Sequence, residues 1–380
     1  MAVSGPCATT GESACGPTRS PGGPRPGSPP WIGRVLDIHW GISPRASVLR
    51  PLRPAAGRPL SHTSGLWRVS VSGEPGRGGG EFVLKAQLTA EALRPVAFHV
   101  IKRQVMEVVA RQGVPVAVAV PALDGAPAVL RDGIGCELLP LLPGTAHPAV
   151  TPARAREIVA TGLGLRSVLD GLPEQVVRAL APYPVDPLVA QPCWRAALED
   201  ALGRLGPMAA RRPDGWGRLV SGALRELECA GPLLERLTEA GEQAARGTAV
   251  VHGDLHHRHF LFGEADRHRI TGVLDFDNLR VDDRLLDLAW TAASAGRVAG
   301  GRAARREGAR AFVRAAEGAG LLAPGEAGLL MPRLLAYAVP IVVDIAKDVL
   351  ERDILDDLWA EYLDLLSPAR MADTHALLTQ

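Results

Sequence analysis

The chain has 380 residues, 42 basic against 41 acidic side chains for a net charge of +1, and a hydrophobic fraction of 47%. Near-neutral charge excludes nucleic-acid binding by broad phosphate neutralisation, no apolar run approaches the roughly 18 residues of a membrane span, and no apolar signal core opens the chain. Five scattered cysteines (Cys7, Cys15, Cys136, Cys193 and Cys229) suit a reducing compartment, so a cytoplasmic protein of two domains or one two-lobed unit is expected.

In chain order, residues 1–30 hold seven Pro, six Gly and four Ser with no hydrophobic period, which predicts a disordered tail. A short amphipathic helix follows over 31–40, with Ile32, Val35 and Leu36 at helical spacing. Strands are expected at 47–52, 66–71, 81–87, 128–130 and 136–141, the second and third joined as a hairpin. One helix, 97–111, interrupts them and stops before Gly113. Leu142-Pro143-Gly144 marks a turn, after which Thr151-Pro152 supplies an N-cap and first-turn proline for a helix to about 169. Further helices fit 193–205, 218–246, 285–295, 303–319, 325–339 and 341–366, broken by a small β island at 250–277. The expected organisation is the tail, a β-rich N-lobe over 31–142 and a helical C-lobe over 143–380, an α+β fold.

The cations are 39 Arg and only three Lys, and Asn278 is the single Asn. In so Arg-rich a chain a Lys is informative, because Arg would serve wherever a plain positive charge was enough.

Chemistry concentrates between Val250 and Trp290, in VVHGDLHHRHFLFGEADRHRITGVLDFDNLRVDDRLLDLAW. One strand delivers His252-Gly253-Asp254 to a turn, and another ends at Asp275-Phe276-Asp277. Both Asp254 and Asp275 therefore sit at the C-terminal edge of a strand, where two carboxylates, a metal-capable His259 and a remote Lys form a phosphoryl-transfer set.

HGDLHHRHFLF, GVLDFD and DDRLLDLA resemble the signature of the aminoglycoside phosphotransferase-like kinases, with 21 residues from Asp254 to Asp275 and 12 from Asp275 to Asp287. That group also includes macrolide phosphotransferases, choline kinases, homoserine kinases and methylthioribose kinases. The resemblance implies a two-lobed protein-kinase-like fold and an ATP-dependent phosphotransferase acting on a hydroxyl of an antibiotic or metabolite, with GTP an alternative donor. It makes Asp254 the catalytic aspartate, and Asp275 a ligand of Mg²⁺. His252 would fix the loop backbone, and Asp283 and Asp287 would tie the loop to the helix below. Asp277 is placed toward substrate.

His259 stands where the commonest family pattern has Asn. Three readings are open: an imidazole metal ligand, as in relatives resembling macrolide phosphotransferases; lost metal binding in a nucleotide-binding pseudokinase; or a bystander beside another ligand. The His run also resembles a zinc site, but its order is wrong for a hydrolase and neither HExxH nor CxxC occurs. No HRD, DFG or APE element supports a protein kinase.

In the N-lobe, Lys85 lies in the apolar strand EFVLKA, alternating with Leu84. By resemblance it contacts the α- and β-phosphates, under a loop over 60–67 in which Ser64 and Gly65 approach them. Glu107 on the following helix is its expected carboxylate partner, ahead of Glu91. The purine pocket is expected at Glu137, Leu138 and Leu139.

Eight acids between Val339 and Leu366 have two readings: an acidic pocket for a cationic acceptor, with Asp344 and Asp348 as the pair to test, or a solvated helix face. Antibiotic, homoserine-like amino acid, sugar and choline-like amino alcohol all remain open as the small-molecule acceptor, and no nucleic-acid or membrane partner is expected.

Overall fold

The computed structural model describes residues 30–52, 64–72, 79–88, 93–147, 149–183, 194–239 and 248–380. The expected tail up to residue 29, residues 60–63 of the expected phosphate loop and Glu91 lie outside them.

Helix α1 (Pro30–Trp40) leads into β1 (Ser47–Pro51), β2 (Ser64–Val71) and β3 (Gly80–Gln87). After helix α2 (Val96–Arg111) come β4 (Val129–Arg131) and β5 (Ile134–Pro140). These five strands form one antiparallel sheet in the order β1-β2-β3-β5-β4. Side chains alternate across it. Trp67, Val69, Leu84, Ala86, Cys136 and Leu138 pack on the Ile32, Val35, Leu36 and Trp40 face of α1. Lys85, Gln87 and Glu137 take the other face, where α2 lies. The two-residue turn Asp132-Gly133, with φ of 51° and 76°, closes the β4–β5 hairpin in the primed geometry that suits strand twist.

Beyond β5 come β6 (Thr145–Ala146), α3 (Pro152–Asp170), α4 (Glu174–Leu180), α5 (Trp194–Asp200), α6 (Gly206–Arg211) and α7 (Gly215–Glu239). Thr151 caps α3 as expected, its hydroxyl accepting from the Arg154 N–H. A π-turn at Ala201–Leu205 joins α5 to α6, so the helix expected to stop near 205 runs on to Arg211. The island follows as β7 (Thr248–Val251), β8 (Phe260–Phe262), β9 (Ile270–Val273) and β10 (Arg280–Asp283), the last pairing with β7. Helices α8 (Leu285–Gly296), α9 (Gly301–Gly318), α10 (Ala327–Leu350), α11 (Leu358–Leu365) and α12 (Pro368–Leu378) complete the chain.

Two expected helices, 325–339 and 341–366, are corrected. Pro340 does not end the first; α10 runs through Pro332 and Pro340 and stops at Leu350. A proline inside a helix costs about 3 kcal/mol. Burial of Leu330, Leu334, Leu335, Val339, Val342 and Val343 offsets that cost, at about 1.5–3 kcal/mol for each large side chain. At 24 residues α10 is the one described helix long and apolar enough to cross a membrane, yet it lies inside the fold, packed on α7, α8 and α12.

Candidate active site

The site is assembled at the ends of short strands. β7 delivers His252, Gly253 and Asp254; a 3-10 turn at His257–His259 leads into β8; and β9 delivers Asp275, followed by a 3-10 turn at Phe276–Asn278. Gly253 has φ of +83°, and a Cβ there would lie 2.3 Å from the Arg280 guanidinium, so both conformation and space require glycine. Asp275 itself adopts φ of +64°, a left-handed backbone rarely held by a non-glycine residue except where the surroundings enforce it.

The turn after β7 is held from below. Asp287, in the first turn of α8, accepts the His252 N–H at 2.8 Å and the Gly253 N–H at 3.0 Å. Arg166 of α3 donates to the same carboxylate at 3.1 Å, and both side chains are buried. The carboxylate thus satisfies two loop amides and pairs one buried guanidinium. Asp283 accepts the Leu285 N–H and pairs with Arg333. The His252 ring accepts the Asp254 N–H at Nδ1 and donates from Nε2 to the Leu274 carbonyl at 2.9 Å, linking the two loops through one tautomer.

Asp254 keeps 22% of its side-chain exposure. Burial, followed by the charge of Asp275, pushes its carboxyl up to about 8, with Arg280 opposing. His259 Nδ1 lies 2.7 Å from the Asp254 carbonyl, which can only accept, so that nitrogen carries the proton. The lone pair is left on Nε2, 3.9 Å from Asp275 Oδ2. Burial lowers the His259 pKa to about 4, against the pull of Asp275, so the ring is neutral. A neutral imidazole nitrogen and a carboxylate oxygen converging beside a second carboxylate fit a divalent cation. The His256 ring stacks on His259 with centroids 3.7 Å apart, and Asp254, His256 and His259 present ligand atoms within 4.8 Å of one another.

Lys85 meets this loop directly. Its Nζ is 2.8 Å from Asp275 Oδ1 and 2.8 Å from Asp277 Oδ2. Burial works to lower the ammonium pKa, but the two carboxylates override it and the net shift is upward. Asp277, expected toward substrate, has its carboxylate engaged by two lysines: it bridges Lys85 and Lys102, whose Nζ is 2.9 Å from its Oδ1. Despite burial, the two ammonium groups hold the Asp277 carboxyl well below its usual range.

Glu107 is corrected. It pairs with Arg103 on the outer face of α2 and does not reach Lys85. The buried face of α2 presents His99 and Lys102. Glu137 belongs to this cluster, its carboxylate 2.7 Å from Lys102 and 3.1 Å from His99. At the expected purine pocket the Glu137 side chain is engaged in this cluster, and Leu138 packs toward α1 while its carbonyl accepts the Val120 N–H. Leu139 pairs with Val83, and the strand leaves the sheet at Pro140. Ser64 is buried at the start of β2 opposite Gln87. Gly65 lies opposite Ala86, and the space a side chain would need is filled by the Trp67 indole.

Asp344 and Asp348 are both bridged by Arg352, at 3.1 and 2.7 Å, so one guanidinium is shared between the two carboxylates. Nearer the loop, Tyr337 and Tyr362 have phenol pKa values raised by burial and then by the Asp254 charge. Sequence reasoning missed Lys102, His99, Tyr337 and Tyr362; for Lys102 the scarcity of lysine was the available signal.

Residues 72–324 match the model of the phosphotransferase enzyme family APH, and the chain belongs to that family. Among solved structures it is similar to a spectinomycin phosphotransferase, at TM-score 0.59 and 13% identity, over 92% of this chain and 98% of that one. It is also similar to an amicoumacin kinase, at 0.57 and 12% over 90% and 93%. A microcompartment-associated aminopropanol kinase gives 0.57 and 17% over 92% and 96%. At these identities the likeness is one of fold. No curated protein matches the sequence.

Proposed function

We propose that the chain is a nucleotide-dependent O-phosphotransferase of the cytoplasm, moving the γ-phosphate of ATP or GTP to a hydroxyl of a small molecule. The observation that carries this reading is the 2.8 Å meeting of Lys85 with Asp275 on the loop beside Asp254. Lys85 supplies the cation for the nucleotide phosphates. Asp254, a half-buried carboxylate of raised basicity, in its ionised form accepts the acceptor's hydroxyl proton as that oxygen attacks. Asp275 and His259 Nε2 would hold Mg²⁺, which when bound supplies charge neutralisation on the phosphate oxygens. The loop amides fixed by Asp287 keep Asp254 in place, so positioning and electrostatics account for the rate.

Support from relatives is of the same kind: the spectinomycin enzyme is solved with ADP and spectinomycin, and the amicoumacin kinase with AMP-PNP and Ca²⁺. For the acceptor we favour a hydroxylated antibiotic or metabolite not selected by an acidic pocket, because Arg352 already pairs Asp344 and Asp348. Transfer from γ-labelled ATP or GTP into pools of aminoglycosides, macrolides, nucleoside antibiotics, amino alcohols and homoserine tests the reading. Labelled product from wild type, absent with Asp254→Ala, is expected; labelled product retained by Asp254→Ala would refute the assignment.

A further inference from the structure

Five charged side chains form a line of alternating sign. Glu137 meets Lys102 at 2.7 Å, Lys102 meets Asp277 at 2.9 Å, and Asp277 meets Lys85 at 2.8 Å; Lys85 then meets Asp275 at 2.8 Å. Two of the chain's three lysines are spent here, in a protein that uses Arg almost everywhere else. The Lys102 side chain is 8% exposed and Glu137 2%, so that end of the line is interior, while Asp277 at 22% and Asp275 at 36% bring the other end to the open site.

Lysine suits that position physically. An ammonium is a compact point charge with three rotatable donors and can satisfy two carboxylates from separate elements, here β5 and the turn after β9, whereas a planar guanidinium demands a fork-shaped partner and more room. The two oxygens of Asp277 are divided between the lysines, Oδ1 to Lys102 and Oδ2 to Lys85. Removing Lys102 would strip Asp277 Oδ1 of its ammonium, leaving the carboxylate held only through Oδ2 by Lys85 and the Gln87 amide, and its charge less compensated beside Asp275.

We infer that Lys102 is a positioning residue of the nucleotide site: anchored to the sheet by Glu137, it holds Asp277 so that Asp277 fixes the Lys85 ammonium for the phosphates. α2 thus contributes a cation that orients a carboxylate from the metal loop, in place of the glutamate that the sequence leads one to expect beside Lys85. The inference rests on the nucleotide-dependent reading above.

The test compares AMP-PNP with Mg²⁺ against adenosine, or the guanine pair if GTP is the donor, by calorimetry and competition on the full chain. Lys102→Met is made both alone and with Glu137→Gln, so that no buried carboxylate is stranded in the second variant. The expected result is a loss of about tenfold in AMP-PNP affinity, the worth of one charge-assisted hydrogen bond, with adenosine affinity unchanged. Asp277→Asn should cause a similar loss, and combining it with Lys102→Met should add little. Equal losses for adenosine and AMP-PNP would make Lys102 merely structural and overturn the inference, as would AMP-PNP affinity within about twofold of wild type. A wild-type chain that binds neither compound would instead defeat the phosphotransferase reading itself, and the inference with it.

Discussion

The Lys85 ammonium and the Asp275 carboxylate, 190 positions apart in the chain, meet at 2.8 Å across the two halves of the fold. The β3 strand carries the first and the turn after β9 the second, so neither half holds the site alone. A second tie runs beside it, where Val116, just beyond α2, bridges to Val273 at the end of β9 and the Val273 N–H donates to the Pro115 carbonyl. The Asp275 loop is thereby registered against the half that carries β3 and α2 by backbone as well as by charge.

Asp254→Asn should lower phosphate transfer by about 10²–10⁴-fold, the usual contribution of a general base. It should also change stability in a pH-dependent way. The folded Asp254 carboxyl is raised to about 8 from an ordinary 3.8, so between these values the folded state retains a proton that the unfolded chain releases. Its destabilising effect is therefore absent near pH 4, grows as pH rises, and is complete above about 8. Melting curves should show the Asp254→Asn variant and wild type alike at the acid end, with the variant increasingly the more stable toward pH 8. A constant difference across that range would contradict the burial of this carboxylate.

His259 is expected to matter through Nε2. With nucleotide present, His259→Ala should weaken Mn²⁺ binding, read by electron paramagnetic resonance, by at least about tenfold, an effect that even outer-sphere partners reach. His259→Asn should retain more affinity than the alanine variant, because its amide oxygen can still ligate. Unchanged binding in His259→Ala would make the imidazole a bystander.

The Arg166–Asp287 pair should behave as a buried ion pair. Asp287→Ala leaves Arg166 Nη1 and two loop amides without their acceptor, with Arg166 keeping only Asp170 at 2.8 Å, and should cost about 3 kcal/mol in urea unfolding. Replacing both residues by leucine should cost less than the two single losses added together, because neither charge is then stranded. Additive losses would show that the two act independently.

Gly253→Ala should combine backbone strain of about 1–3 kcal/mol with displacement of Arg280. Gly171→Ala provides the comparison: its φ is −84° and its nearest neighbour, Ser167 O, would lie 3.5 Å from the new Cβ. Thermal melts should separate the two, with Gly171→Ala near wild type and Gly253→Ala clearly lower.

The parts of the fold legible in sequence were those with local signals. Thr151-Pro152 marked the start of α3, and the 32, 35, 36 spacing marked α1. HGD and DFD marked the two loops because strand ends with clustered carboxylates have few other uses. Asp132-Gly133, a primed-turn dipeptide, was an unused signal for the β4–β5 hairpin. Pro340 misled because proline reports a local cost, whereas the continuity of α10 is decided by what it buries. Glu107 misled for a related reason: spacing put a carboxylate on α2, but the face that α2 turns toward Lys85 is fixed by packing of Phe98, Ile101, Val105 and Val109, and Lys102 rides on that face. Asp277 could not be placed from spacing, because its partners come from β3 and α2.

The central claim is that Lys85, Asp275 and His259 form a metal-assisted nucleotide site, and its most direct test is titration with AMP-PNP in the presence and absence of Mg²⁺. The account predicts that Mg²⁺ tightens binding to the wild-type chain and that Asp275→Asn abolishes this dependence while nucleotide still binds. Wild-type binding that ignores Mg²⁺ would contradict the account and leave a chain that holds nucleotide without the means to transfer its phosphate.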